Sequence, residues 1–193
     1  MSDRRRLLVI AAAVALLQIA LLVSMIAGRA AILRNGEEVT LSVMPVDPRD
    51  LLRGDYVVLG YNISSVPTDL FAERPEGTES GERRTVFVRL KEGNGGIWEP
   101  MAARYEERLE PVPGGGEVDI RGTASAVWFD NTTSVSIDYG IERFYVPEGE
   151  GRAIEADMRQ RQFRMKVAVA SDGTAQIKSF HDEEKMLYSE PLF

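Results

Sequence analysis

Two kinds of hydrophobic pattern divide the chain. Leu7 to Gly28 reads LLVIAAAVALLQIALLVSMIAG, 22 residues without a charge and with only Gln18 and Ser24 as polar side chains. At about 1.5 Å per residue this gives roughly 33 Å of helix, enough to cross a hydrocarbon core of about 30 Å. Arg4, Arg5 and Arg6 precede the run, and the excess of arginine on that side predicts a cytoplasmic start with everything after the run outside. A cleaved signal peptide is the rival reading, but its apolar region is shorter, about 7–15 residues. The nearest small-residue site, before Ala31, carries Arg29. The pattern therefore predicts a basic N-terminus at 1–6, an uncleaved transmembrane signal anchor at 7–28, and a single extracytoplasmic domain at 29–193.

Past the anchor the pattern shortens and alternates, which predicts strands. VTLSVMPV (39–46), YVVLGYNI (56–63) and TVFVRLKE (85–92) follow one another, the last with Val86, Val88 and Leu90 on one side. In VDIRGTASAVW (118–128), Val118, Ile120, Ala124, Ala126 and Trp128 share a face across Gly122. Val135, Ile137 and Tyr139 alternate with Ser134, Ser136 and Asp138. Period-2 alternation is the mark of a sheet buried on one face. Asp130-Asn131 and Asp172-Gly173 read as hairpin turns, the second with the stronger chemistry. Helix is scarce, with a single turn within 67–72 and a longer candidate at 151–161 (GRAIEADMRQR). The expected fold is mainly β, an antiparallel sandwich or partly open barrel with one or two short helices, behind a single N-terminal transmembrane helix.

Composition sharpens this picture. The net charge of −7 is a sum of unlike parts, because residues 1–28 hold three Arg and one Asp, leaving 20 basic and 29 acidic side chains, a net −9, on the remainder. Acidity of that size argues against nucleic acid as a partner. It also predicts a domain that stands off an anionic bilayer or docks on another protein. The chain has no Cys and one His, His181, which removes thiolate chemistry, iron–sulfur clusters and multi-histidine metal centres. No metal and no cofactor is expected.

The most distinctive segment is MPVDPRDLLRGDYVVLGYNIS, residues 44–64. Asp47-Pro48 starts a turn, and Gly54-Asp55 opens an aromatic, β-branched strand in which Tyr56 and Tyr61, five apart, face opposite sides if the strand is regular. The stretch DYGIERFYVPEGEGRAIE at 138–155 reads as a built corner, with a strand closed by Val146-Pro147, a turn from Glu148 to Gly151, and an acidic start to the following helix at Glu155 and Asp157. Gly54 to Tyr61, GDYVVLGY, resembles in every specified position the GDYxxLxY box that names an uncharacterised family of bacterial membrane-anchored proteins. The second stretch is similar to that family's other recurrent block, through Tyr139, Gly140, Glu142, Val146, Pro147, Glu148 and Gly149. The resemblance marks Gly54, Asp55, Tyr56, Leu59 and Tyr61 as the family positions of the first block. It implies a bacterial inner-membrane protein with its domain in the periplasm or outside, no established activity, and a multi-pass membrane protein as partner.

The two blocks share Arg, acids and Tyr, and this predicts that they pack together, with Glu142, Arg143, Glu148 and Arg152 available to Arg49 and Arg53. A hydrolase is the competing class. Ser42 and Lys91 are the only residues that fit a serine–lysine dyad of the signal-peptidase kind, although that kind places serine directly before Met and here Val43 intervenes. A Ser134/His181/Asp130 triad lacks a nucleophile elbow, and His181 in SFHDEE reads as a solvated loop residue. Asp47, Asp50 and Asp55 do not follow calcium-loop spacing. Sequons stand at Asn62 and Asn131. The favoured expectation is a non-enzymatic accessory or interaction domain.

Overall fold

The computed structural model describes residues 3–44, 56–73, 82–125, 131–145 and 161–190, with backbone alone at 56–58 and 145. Helix α1 spans Asp3–Asn35, 33 residues, so it outruns the apolar stretch at both ends. The residues that extend it, RAAILR, are mostly strong helix formers, and Leu33 is buried against the domain. The helix is long and apolar enough to cross a membrane.

The strands that follow are β1 (Glu37–Met44), β2 (Tyr56–Val58), β3 (Gly60–Tyr61), β4 (Ser65–Pro67), β5 (Arg83–Glu92), β6 (Trp98–Tyr105), β7 (Glu117–Ser125), β8 (Ser134–Asp138), β9 (Arg143–Tyr145), β10 (Phe163–Val169), β11 (Ala175–Asp182) and β12 (Lys185–Ser189). They form two five-stranded antiparallel sheets, ordered β12-β11-β10-β1-β3 and β4-β8-β7-β5-β6, and a two-stranded ribbon, β2-β9. The mainly β expectation is met, with the core between the sheets. Val39, Leu41, Met165 and Val167 meet Val86, Val88, Ile120 and Ile137 there, all buried. Phe163 stacks on Phe180 at 5.2 Å, and Phe144 of the ribbon reaches Phe180 at 5.8 Å, closing one flank with aromatic contacts.

Alternation reads correctly where a strand has one wet face: Val118, Ile120 and Ala124 are buried, as are Val135, Ile137 and Tyr139. It underestimates β5, where Phe87 and Arg89 are buried along with Val86, Val88 and Leu90. This strand lies between β6 and β7, and Leu109 covers its second face, its carbonyl accepting a bond from Arg89 at 3.1 Å. The hairpin at Asp172-Gly173 forms, with Ala170 and Thr174 joined through the main chain and Gly173 at φ 86°. The expected single turn is a short 3-10 helix, Thr68–Leu70. Ala126, Trp128 and Asp130, and the helix expected over 151–161 except for Arg161 in a bend, lie outside the described residues.

Two sequence expectations are corrected. The strand expected over 56–63 breaks at Leu59 into β2 and β3, which belong to different sheets, because Leu59 turns its N–H to the Glu142 carbonyl at 2.8 Å and buries its side chain. His181 is a half-buried strand residue on β11 rather than a solvated loop residue; its Nε2 lies 2.7 Å from Ser179 Oγ. Burial, and then the charge of Lys166, hold its pKa below the ordinary value.

The one deeply placed ion pair joins β5 to β7 among the described residues. Arg89 Nε and a terminal nitrogen reach the two oxygens of Asp119 at 2.7 and 2.9 Å. With the arginine side chain 7% exposed, Asp119→Ala leaves a buried guanidinium without its counter-charge and is expected to cost roughly 3–5 kcal/mol. Replacing both by apolar residues of similar volume is expected to cost less than that single change. Urea denaturation of the full chain in micelles measures both.

Candidate functional site

The corner where the chain leaves the first sheet for the second is built from the two distinctive sequence blocks. Tyr61 ends β3, its N–H bonding Ser64 Oγ at 3.0 Å while Ser64 N–H bonds the Tyr61 carbonyl at 2.9 Å. This tight turn feeds β4 and the second sheet. The second block arrives from β8, turns at Gly140 (φ 78°) and returns as β9. The turn is set by Asp138, whose Oδ1 accepts the Gly140 N–H at 3.0 Å, and only glycine adopts that φ without strain.

The blocks do pack together. Tyr56, Val57 and Val58 pair in antiparallel register with Tyr145, Phe144 and Arg143. Beyond the ribbon, the hydroxyl of Tyr61 donates to the carbonyl of Ile141 at 2.6 Å, and the hydroxyl of Tyr139 donates to the carbonyl of Ile63 at 2.9 Å. Each tyrosine therefore bonds the residue two places beyond the other tyrosine. Both rings are buried, 3% and 6% exposed. Burial, and then the negative charge of Glu142, push both phenols far above their ordinary range, so the hydroxyls stay protonated donors. Gly122 on β7 makes room for the second ring: a Cβ there would lie 2.5 Å from Ile137 Cγ2 and 3.0 Å from Tyr139 Cδ1.

Below the clasp sit two carboxyl groups. Glu142 Oε1 accepts the Tyr139 N–H at 2.6 Å, and burial raises the pKa of Glu142 despite that bond. Asp138 is lowered, first by a hydrogen bond from Glu142, then by the Gly140 N–H and by Arg83, 3.2 Å away. The two acids are thus driven in opposite directions, Glu142 upward and Asp138 downward. Arg83, Asp138 and Tyr139 also line an open groove of about 810 Å³ with Arg84 and Arg121. Each of its arginines has an acid partner: Arg83 with Asp138, Arg84 with Glu82 and Glu106, Arg121 with Asp172.

Of the residues singled out by sequence, the structure brings Leu59, Tyr61, Tyr139, Gly140 and Glu142 together, with the backbone of Tyr56 beside them. Gly54, Asp55, Val146, Pro147, Glu148 and Gly149 lie outside the described residues, as do Arg49, Arg53, Arg152 and Asp47 and Asp50. Ser42 and Lys91 stand in different sheets, Ser42 opposite Arg164 on β1 and Lys91 on β5 between Glu99 and Glu117. No hydrogen bond joins them among the described residues. Ser134 bonds Ser65 in the second sheet at 2.9 Å, whereas His181 belongs to the first. Among the described residues no cluster of acids and histidine is arranged to hold a metal.

Sequence reasoning missed Ile63, Ile141 and Asn62. The signal was present as a repeated Tyr-x-Ile tripeptide, 61–63 and 139–141. Asn62 is a bracket between the sheets: its Oδ1 accepts Ser42 N–H at 3.1 Å and its Nδ2 donates to the Trp98 carbonyl at 2.7 Å. A sequon on paper is therefore an internal hydrogen-bonding side chain.

The fold and the clasp define a class: an antiparallel two-sheet domain, cornered by a reciprocal tyrosine pair and carried directly on an apolar N-terminal helix. The chain belongs to the GDYXXLXY family, whose sequence model, described as GDYXXLXY protein, matches residues 18–180. No curated protein and no solved structure matches it.

Tyr61→Phe and Tyr139→Phe each leave a buried carbonyl short of a donor and are expected to cost about 1–3 kcal/mol. Because both fasten the same two segments, the double variant is expected to depart from additivity by about 0.5 kcal/mol or more, as read from a double-mutant cycle in urea. The acid pair gives a pH dependence of fixed sign. A raised Glu142 binds its proton more tightly folded than unfolded, so this contribution is present at low pH and is lost as pH rises from the ordinary value of 4.5 through the raised one. Glu142→Gln keeps the acceptor for Tyr139 N–H and removes the titration. Its stability is expected to gain on the parent as pH rises above 4.5, and parallel stability profiles for the two proteins would refute the raised Glu142.

Proposed function

We propose that this protein is a single-pass, membrane-anchored envelope protein whose domain is an accessory, non-enzymatic interaction module for a multi-pass membrane protein. The observation that carries the reading is the use made of the motif tyrosines. Both hydroxyls are buried and bonded to main-chain carbonyls, so the residues that distinguish the family at this corner hold a scaffold together. A catalytic hydroxyl has to be accessible and paired with a base. The remainder of the reading is supported by the apolar helix and its flanks. Arg4, Arg5 and Arg6 stand before the uncharged run, which orients the N-terminus to the cytoplasm and the domain to the periplasm or exterior. Helix and domain are joined without a linker, since Gly36 alone separates Asn35, the last residue of α1, from Glu37, the first of β1. The domain is thereby presented close to the bilayer, where the extramembrane loops of a polytopic partner lie.

Two measurements on cells test this. The chain has no Cys, so a single thiol introduced at exposed Ser65 is the only reactive site. An impermeant thiol reagent added to intact spheroplasts is expected to label it, and labelling only after lysis reverses the orientation. Photo-crosslinking from surface positions of the domain is expected to capture a protein with several spans. Capture of soluble proteins alone, under conditions that preserve other membrane complexes, removes the partner reading.

A further inference from the structure

The last two turns of α1 belong to the domain. Leu33 is 3% exposed, Gly36 N–H closes the helix on the Ile32 carbonyl at 2.8 Å, and a Cβ at Gly36 would lie 2.7 Å from that oxygen and 3.0 Å from the Val169 carbonyl. Helix and sheet therefore meet with no slack between them.

The direction of the helix follows from Arg29, which forms an ion pair with Glu190 at 3.1 Å. Glu190 continues β12 and donates its N–H to the Lys178 carbonyl, three residues up β11 from Ala175. If α1 simply prolonged the line of β1, the six residues from Arg29 to Asn35 and three strand residues would separate the two backbones by about 19 Å along that line. An arginine and a glutamate cannot bridge that distance. The helix instead contacts β10 and β11 and brings Arg29 to Glu190, next to the end of β12. The residue that marks the end of the uncharged run is thus fastened to the outermost strand of the first sheet.

Among the described residues β12 is an edge strand. Its start is exposed at Lys185 and at Met186, which is 58% exposed. An open edge with an exposed apolar side chain is a surface that proteins ordinarily cover. We propose that the free edge of β12 rests on the lipid headgroup layer, with α1 acting as a strut that holds it there. Lys185 and Met186 suit the boundary between water and acyl chains, the methionine entering and the lysine reaching back to the headgroups. Glu183 and Glu184 are exposed at the preceding turn, so the matching surface is zwitterionic rather than anionic. The charge of −9 on residues 29–193 describes an average, and the contact concerns one edge of the domain, leaving the other faces to a protein partner.

The proposal rests on α1 being a membrane anchor, and the experiment separates the two. Single thiols at Met186, at Met25 within the apolar run, and at Met44, an exposed methionine on β1 three strands away in the same sheet, are labelled with one fluorophore. The full chain is placed in phosphatidylcholine nanodiscs carrying spin-label quenchers either on the headgroup or on the acyl chain. The label at 25 is expected to lose emission to the acyl-chain quencher, the label at 186 to the headgroup quencher, and the label at 44 to neither. Emission at 186 as unaffected as at 44, with 25 quenched, overturns the edge contact and leaves the anchor intact. No quenching at 25 overturns the anchor, and the edge contact with it. All three replaced methionines are exposed, and circular dichroism of each labelled variant checks that the fold is kept.

Discussion

The corner between the sheets depends on two buried hydroxyls, each satisfying a carbonyl on the other's chain segment. A main-chain carbonyl turned into the core needs a donor, and an unpaired one costs about as much as a hydrogen bond is worth or more. At Ile63 and Ile141 the chain is changing direction between strands. A tyrosine reaching across supplies the donor from a distance and fills the core with its ring. Reciprocity matters more than either bond alone: the first block is fixed only if the second is in place, and the converse. The β2-β9 ribbon, the Leu59 N–H on the Glu142 carbonyl and the glycine that seats the Tyr139 ring all serve the same junction.

The electrostatics beneath the clasp follow from burial. Glu142 accepts a main-chain N–H from Tyr139 where the phenol and the core exclude water, and ionisation there is opposed both by desolvation and by Asp138. Asp138 has Arg83 and the Gly140 N–H to hold its charge. Two acids four residues apart thereby take different roles. The groove above them is lined with arginines already paired with acids, which makes it a polar, self-neutralising surface. Mainly exposed pairs of this kind contribute little stability individually. By contrast, the Arg89–Asp119 pair is shielded and bidentate, and ties the central strand of the second sheet to its neighbour.

Much of the fold was legible because one wet face and one dry face leave a period of two. Val118, Ile120 and Ala124 and the Val135, Ile137, Tyr139 series were assigned correctly on that basis alone. The pattern failed where its assumption failed. β5 is buried on both faces, so Arg89 looked like an outward residue, and its partner Asp119, thirty residues away, gave no local cue. The segment 56–63 looked like one strand because it is rich in aromatic and aliphatic residues, with Asn62 its one polar side chain besides the tyrosine hydroxyls. Its division at Leu59 is decided by the partner, β9 before the break and β1 after it. The position of His181 beside Ser179 likewise depends on strand register, which a short run of SFHDEE does not encode.

By itself the sequence determined the apolar helix, the mainly β character, the family and the pairing of its two blocks as a proposition, since these follow from composition, periodicity and a specific short motif. Tertiary structure alone decided how the blocks hold each other, which carbonyl each tyrosine serves, and that Asn62 joins the sheets. Only the fold could show that α1 brings Arg29 to Glu190, next to the end of β12, instead of trailing from β1. The physical reason is common to all of these. A hydrogen bond between residues about eighty positions apart is specified by where two chain segments meet in space, and no local pattern of polar and apolar residues carries that information.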